Sequence, residues 1–218
     1  MQQNKLKDSL LRFFHDLFDL MVVNCLWLLC CLTVFTVGPA TCGLYAVTLK
    51  LVREEPVHPV KDFFRGLKEN LKSGFLLGFM TILMTVAVAG DVWLALRLSG
   101  GLRTLYLVVA VMVGVILMIL VTYAFALQAM FENPLRTQIT NTFKLAVIAP
   151  GKTLLMWLIL LIPVIAALVL PPIALRMLGF LYLVAGISGP VYGTCHILRN
   201  IFDRVNDNVT ETESPTSE

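Results

Sequence analysis

An all-α bundle of membrane helices is the fold class this sequence predicts, and three observations predict it. Apolar stretches long enough to cross a bilayer recur at residues 20–37, 73–96, 104–131, 153–170 and 177–198. Of the 218 residues, 58% are hydrophobic and only 14% are charged, with a mean hydropathy of +0.83. A soluble domain carries about a quarter charged residues. The charges that remain are confined mostly to the segments between the apolar stretches.

Each span follows from length. About 20 apolar residues rising 1.5 Å each cross a hydrocarbon core of roughly 30 Å. Residues 20–37 are apolar apart from Asn24, Thr33 and Thr36. Residues 39–52 reach only about 21 Å as a helix. Gly38 suits a tight reversal and Pro39 a first helical turn. The expected element is therefore a hairpin that turns at Gly38-Pro39 on the outer surface, with a second arm that spans or is re-entrant. Residues 73–96 carry Asp91, and residues 104–131 carry no charge. Pro171-Pro172 and Arg176 separate the last two stretches. The predicted count is five to six hydrophobic helices.

Amphipathic segments precede three of these stretches. Leu6, Leu10, Phe14, Leu17 and Phe18 share one helical face; so do Val60, Phe63, Phe64, Leu67 and Leu71, and Leu135, Ile139, Phe143, Ala146 and Val147. Such spacing predicts three interfacial helices. The chain then reads as one membrane domain over 1–202, with units 5–52, 60–131 and 135–198. An acidic tail, 203–218, is expected to be disordered.

Charge bias orients the bundle. With the hairpin, 14 of the 17 Lys and Arg fall on one side and only Arg97, Arg103 and Arg176 on the other; without it the split is 11 to 6. The positive-inside rule favours the hairpin, a multi-pass protein with both termini cytoplasmic. The net charge of +3 and the scatter of the bases carry no nucleic-acid signature.

The search for chemistry returns few candidates. Cys25, Cys30, Cys31, Cys42 and Cys195 form no C-x-x-C pair and read as small hydrophobes. His15, His58 and His196 lack metal-ligand spacing, and no phosphate loop, nucleophile elbow or zinc-protease motif occurs. No catalytic, metal or cofactor residue is predicted. The N-terminal segment reads as an uncleaved anchor. Two kinds of site remain. Polar groups within spans are costly, which makes Asn24, Asp91, Glu132 and His196 candidates, with Asp91 within reach of Arg97 or Arg103. The turn Gly38-Pro39-Ala40-Thr41 is the other. Its echo at Gly189-Pro190 leaves two readings, close helix packing or a broken helix that offers backbone groups to a ligand.

The run Trp27…Thr33…Thr36-Val37-Gly38-Pro39-Ala40-Thr41…Leu44-Tyr45, followed by Lys61-Asp62-Phe63-Phe64…Lys68-Glu69-Asn70, resembles the YesL family of bacterial membrane proteins. The resemblance extends from about Phe14 to Phe202. It implies a cytoplasmic-membrane protein without an established activity, encoded beside carbohydrate ABC transporter components and sensor kinases. The expected function is a non-enzymatic accessory subunit near carbohydrate uptake or sensing. Its partners would be the lipid bilayer, an ABC transporter permease or sensor kinase, or a second copy of the chain. The alternative is a small transporter or channel in which Asn24, Asp91, Glu132 and His196 converge on a polar path.

Overall fold

Apolar runs and helical periodicity give helices throughout the described residues, with no strand among them. The computed structural model describes residues 2–131, 134–169, 171, 179 and 186–213. Three helices are long and apolar enough to cross a membrane: Leu10–Cys31, Leu71–Arg97 and Gly101–Met130. A fourth crossing arises if Arg136–Ile148 and Pro150–Ile162, bent by 103°, act as one. The stretch predicted at 177–198 lies largely outside the described residues up to 185.

Helix α1 (Gln2–Cys31) is one rod of 30 residues. The first amphipathic segment is therefore not a separate interfacial helix. Its apolar stripe runs straight into the apolar stretch, and no glycine or proline interrupts it. The helix stops at Cys31, and a 3₁₀ turn (Val34–Thr36) leads into α2 (Val37–Val52). The reversal thus lies at 32–36, not at Gly38-Pro39. Pro39 occupies the first turn of α2, where a missing N–H is tolerated. Gly38 has no positive φ.

Gly38 has another role, at a helix crossing. A Cβ there would collide with the Gly74 carbonyl and lie 2.9 Å from the Gly78 Cα. A Cβ on Gly74 would lie 2.9 Å from the Pro39 Cα. Further along α2 the same closeness recurs: a Cβ on Gly43 would sit 2.7 Å from the Phe63 carbonyl oxygen, and one on Gly66 2.8 Å from the Ala46 Cβ. Helix α3 (Pro59–Glu69) and the start of α4 (Leu71–Arg97) therefore lie against α2 with almost no side chain between. Small residues permit this approach between apolar helices.

Helix α2 is consequently the centre of the fold. Twelve of its 16 residues are buried, by α1, α3, α4, α6 (Phe125–Met130) and α9 (Ser188–Glu213). A helix clad in protein need not match the bilayer thickness, which accounts for its short length. Helix α3 is not purely interfacial. It buries Phe63 and Asp62 against α2 and leaves Val60 and Phe64 exposed.

Helices α4 and α5 (Gly101–Ile119) form a long hairpin that turns at Gly100, φ +66°. Their surfaces are apolar and exposed, as a lipid-facing surface requires. A π-helical turn (Leu120–Ala124) joins α5 to α6 (Phe125–Met130). In α7 (Leu135–Ile148) the buried face is Gln138, Thr142 and Leu145, while the Gln138 amide donates to the Ala124 carbonyl at 3.2 Å. Its predicted apolar stripe lines an outward groove at Ile139, Phe143 and Val147. Helix α8 (Pro150–Val169) follows, and α9 (Ser188–Glu213) closes the described chain. Gly189-Pro190 falls in the first turn of α9, and α9 continues into the acidic stretch expected to be disordered.

The glycine seam predicts a contrast. Gly74→Leu should destabilise the protein by at least about 3 kcal/mol, because backbone rather than a side chain blocks the new atoms. Gly90, with nothing within 4 Å of a built Cβ, should gain about 0.5–1 kcal/mol as Gly90→Ala through its helix propensity. Thermal midpoints in detergent separate the two; equal midpoints would rule out the seam.

Candidate functional site

The predicted turn residues form a packing seam. Ala40 is fully buried. Thr41 donates to the Val37 carbonyl at 2.7 Å and accepts from the Trp27 indole N–H at 3.1 Å, which ties α1 to α2. The backbone of Gly38 and Pro39 is covered by Gly74 and Gly78, not offered to a ligand.

The four predicted intramembrane polar residues have separate environments. Asn24 is completely buried in α1, and its side-chain oxygen accepts the N–H groups of Ile187 and Ser188, both at 3.2 Å. The first N–H groups of a helix lack intrahelical partners. Asn24 supplies that cap to α9 from a helix 163 residues away in sequence. Asp91 is half-buried on α4 and makes no hydrogen bond or ion pair among the described residues. Arg97, one of its predicted partners, instead lies over the Trp93 ring, 4.2 Å from the centroid. Glu132 lies outside the described residues. His196 is exposed on α9, edge-on to Tyr192 at 4.9 Å. Asn24 and His196 thus meet α9 about two turns apart, a distance of roughly 12 Å.

A charged junction that the sequence reading missed lies at the opposite end of α2 from the turn. Asp62 is 4% exposed. Its Oδ1 accepts from Lys50 Nζ and Arg65 Nη2, each at 2.9 Å, and its Oδ2 accepts the His58 N–H at 3.0 Å. Burial pushes the Asp62 carboxyl up. The His58 N–H, the Lys50 ammonium and the Arg65 guanidinium outweigh that and hold it below the usual carboxylate range. A carboxylate held below the usual range by three donors is a joint, not a general acid. Next to it, Asn70 is bonded to Gln128 at 3.0 Å, which ties α6 to the break between α3 and α4.

The same end carries a cleft of about 590 Å³ between α1, the α2–α3 loop and α9. His15, Asp19, Tyr192, His196 and Arg199 line it with Arg12. Asp19 is 3% exposed, and its Oδ2 faces His15 Nδ1 at 3.3 Å. Arg12 pairs with Glu54 at 3.3 Å, and Arg199 donates to the Val52 carbonyl at 2.7 Å. Among the described residues no three His, Cys, Asp or Glu side chains could hold a metal ion. The i, i+4 spacing of His15 with Asp19 and of Tyr192 with His196 is the signal that could have found this cleft, but only the fold brings the two helices together.

Residues 20–92 match the model of a family described as a protein of unknown function, DUF624. That stretch contains Asn24, the glycine seam and the Asp62 junction. No curated protein and no solved structure matches the chain.

Two substitutions test the joints. Asp62→Asn removes the charge from three donors and should cost about 2 kcal/mol at neutral pH. The depressed carboxyl stabilises the fold above the ordinary value of about 3.9, and that contribution is lost as pH falls through the lower folded value. The variant's thermal midpoint should therefore converge on the parent's in acid; a gap unchanged below pH about 3 would contradict the junction. Asn24→Leu should cost about 1 kcal/mol by uncapping α9, read as faster amide exchange at Ile187 and Ser188.

Proposed function

We propose that this chain is a non-enzymatic accessory subunit of the bacterial cytoplasmic membrane, which binds a carbohydrate ABC transporter permease or a sensor kinase. One observation supports it above others: several polar side chains within the apolar region join one helix to another. Asn24 caps α9, the Tyr123 hydroxyl bonds that of Thr153 at 2.7 Å, Gln138 reaches Ala124 and Gln128 reaches Asn70. A transport path needs such groups to face water. The outward surfaces of α4, α5 and α8 are apolar and suit lipid or the spans of a partner. The motif from Trp27 to Asn70 supports the finer assignment to the YesL family, whose genomic setting supplies the partner class.

The same reading takes the protein as multi-pass, with five to six hydrophobic helices and both termini cytoplasmic. Arg12, Lys50, Arg53, Arg65 and Arg199 cluster at one end of the bundle, in keeping with the 14-to-3 split. Arg97 lies 26 residues along α4 from Leu71, about 39 Å away.

A second reading, a small transporter, draws on the cleft that gathers His15, Asp19, His196 and Arg199 at the basic end. Purification in mild detergent distinguishes the two. The accessory reading expects a permease or kinase to co-purify reproducibly with the tagged chain, and no solute flux in liposomes. A homo-oligomer that moves solute, and loses that with Asp19→Asn, would replace it. Reporter fusions at Asn4 and Glu218 should both give the cytoplasmic signal; a periplasmic signal at Asn4 alone would overturn the hairpin topology.

A further inference from the structure

We infer that α1 and α2 form a re-entrant hairpin whose tip, around Leu32 and Phe35, ends inside the hydrocarbon of the bilayer rather than at its far surface. This rests on the membrane reading of the chain but not on its accessory role.

Depth is the first support. The Phe35 ring stacks on Phe75 at 6.1 Å, and Gly38 lies against Gly74 and Gly78. Those contacts are within the first eight residues of α4. Beyond Gly78, α4 continues for 19 more residues to Arg97, about 28 Å. With α4 crossing the bilayer, the hairpin tip stops well short of the far side. The other end of the hairpin is anchored at the charged end by Arg12 with Glu54 and Lys50 with Asp62.

The chemistry of the tip is the second support. No charged residue occurs between Asp19 and Lys50. Leu32 is 80% exposed and Phe35 74%. At an outer surface these would be bare to water; in hydrocarbon they are in their preferred solvent.

The third support is that the turn is hydrogen-bonded within itself. The Leu32 and Thr33 N–H groups donate to the Leu29 and Cys30 carbonyls, each at 3.4 Å, and the Thr36 N–H donates to Thr33 at 3.0 Å. The Thr33 and Thr36 hydroxyls lie 2.6 Å apart, and both reach back to the Cys30 carbonyl. In hydrocarbon each unpaired backbone group costs several kcal/mol, and non-helical backbone survives only when it is satisfied locally or by protein. Such a hairpin enters and leaves on one face, so the 14-to-3 charge split is retained without a crossing by either arm.

Site-directed thiol labelling tests the depth. In a parent with Cys25, Cys30 and Cys31 replaced by Ala, single variants Leu32→Cys, Phe35→Cys, Ser99→Cys and Lys61→Cys are treated with a membrane-impermeant maleimide, in spheroplasts and in inside-out vesicles. Ser99→Cys should label from one side and Lys61→Cys from the other. Leu32→Cys and Phe35→Cys should label at least about tenfold more slowly than either control from both sides, because the reactive thiolate does not form in hydrocarbon, and should label in detergent. Labelling of the tip as fast as Ser99→Cys from the same side would return the turn to the outer surface. Labelling from the Lys61 side would place the hairpin outside the membrane. A nitroxide at Leu32 gives an independent reading: collisions with oxygen should exceed those with an aqueous nickel chelate, and the reverse order would overturn the inference.

Discussion

At the crossing of α2 with α4, the backbones of Gly38, Gly74 and Gly78 come so close that no side chain fits between them. That approach holds α4 against α2, and it is extended by Gly43, Ala46 and Gly66 along α3. With α3 and α4 drawn in on one side, α2 can be covered by α1, α6 and α9 on the others. Tyr45, Leu44 and Val47 then lose all contact with solvent or lipid. In a lipid environment there is little hydrophobic force between helices, so dispersion at close range has to supply the attraction. Glycine maximises it by removing the atoms that would hold the backbones apart.

Polar groups complete what close packing begins. Asp62 joins α3 to the end of α2 with three donors, and Asn24 caps α9 from α1. Gln128, Gln138 and Tyr123 tie α6, α7 and α8 into the same frame. Leaving any of these groups unpaired in a dry interior costs more than the bond gains, so they fix which helix end meets which. Beside these joints, Thr142 Oγ1, Trp157 Nε1 and Ser188 Oγ are buried without a hydrogen-bond partner among the described residues. The cleft lined by His15, Asp19 and His196 lies outside the glycine seam.

Composition and the run of apolar stretches determined the helical membrane class, and charge-free lengths located α4 and the α5–α6 rod to within a few residues. The boundary between the units ending at 131 and beginning at 135 was legible for the same reason, but the break at Asn70 was not, because Leu71 continues the apolar stripe of Val60, Phe63, Phe64 and Leu67. Tertiary structure decided the rest. Gly38 reads as a turn residue because glycine commonly supplies turns, yet it serves a crossing whose other half lies 36 and 40 residues away. Asp62 reads as one more exposed charge on an amphipathic helix, yet Lys50 and α2 bury it. Asn24 reads as a polar group in a span that can bond across helices, yet only the fold supplies its partner, the start of a helix at Ser188. Each role belongs to a pair of residues distant in sequence, and periodicity along one chain segment records which face of a helix is apolar, not which surface will cover it.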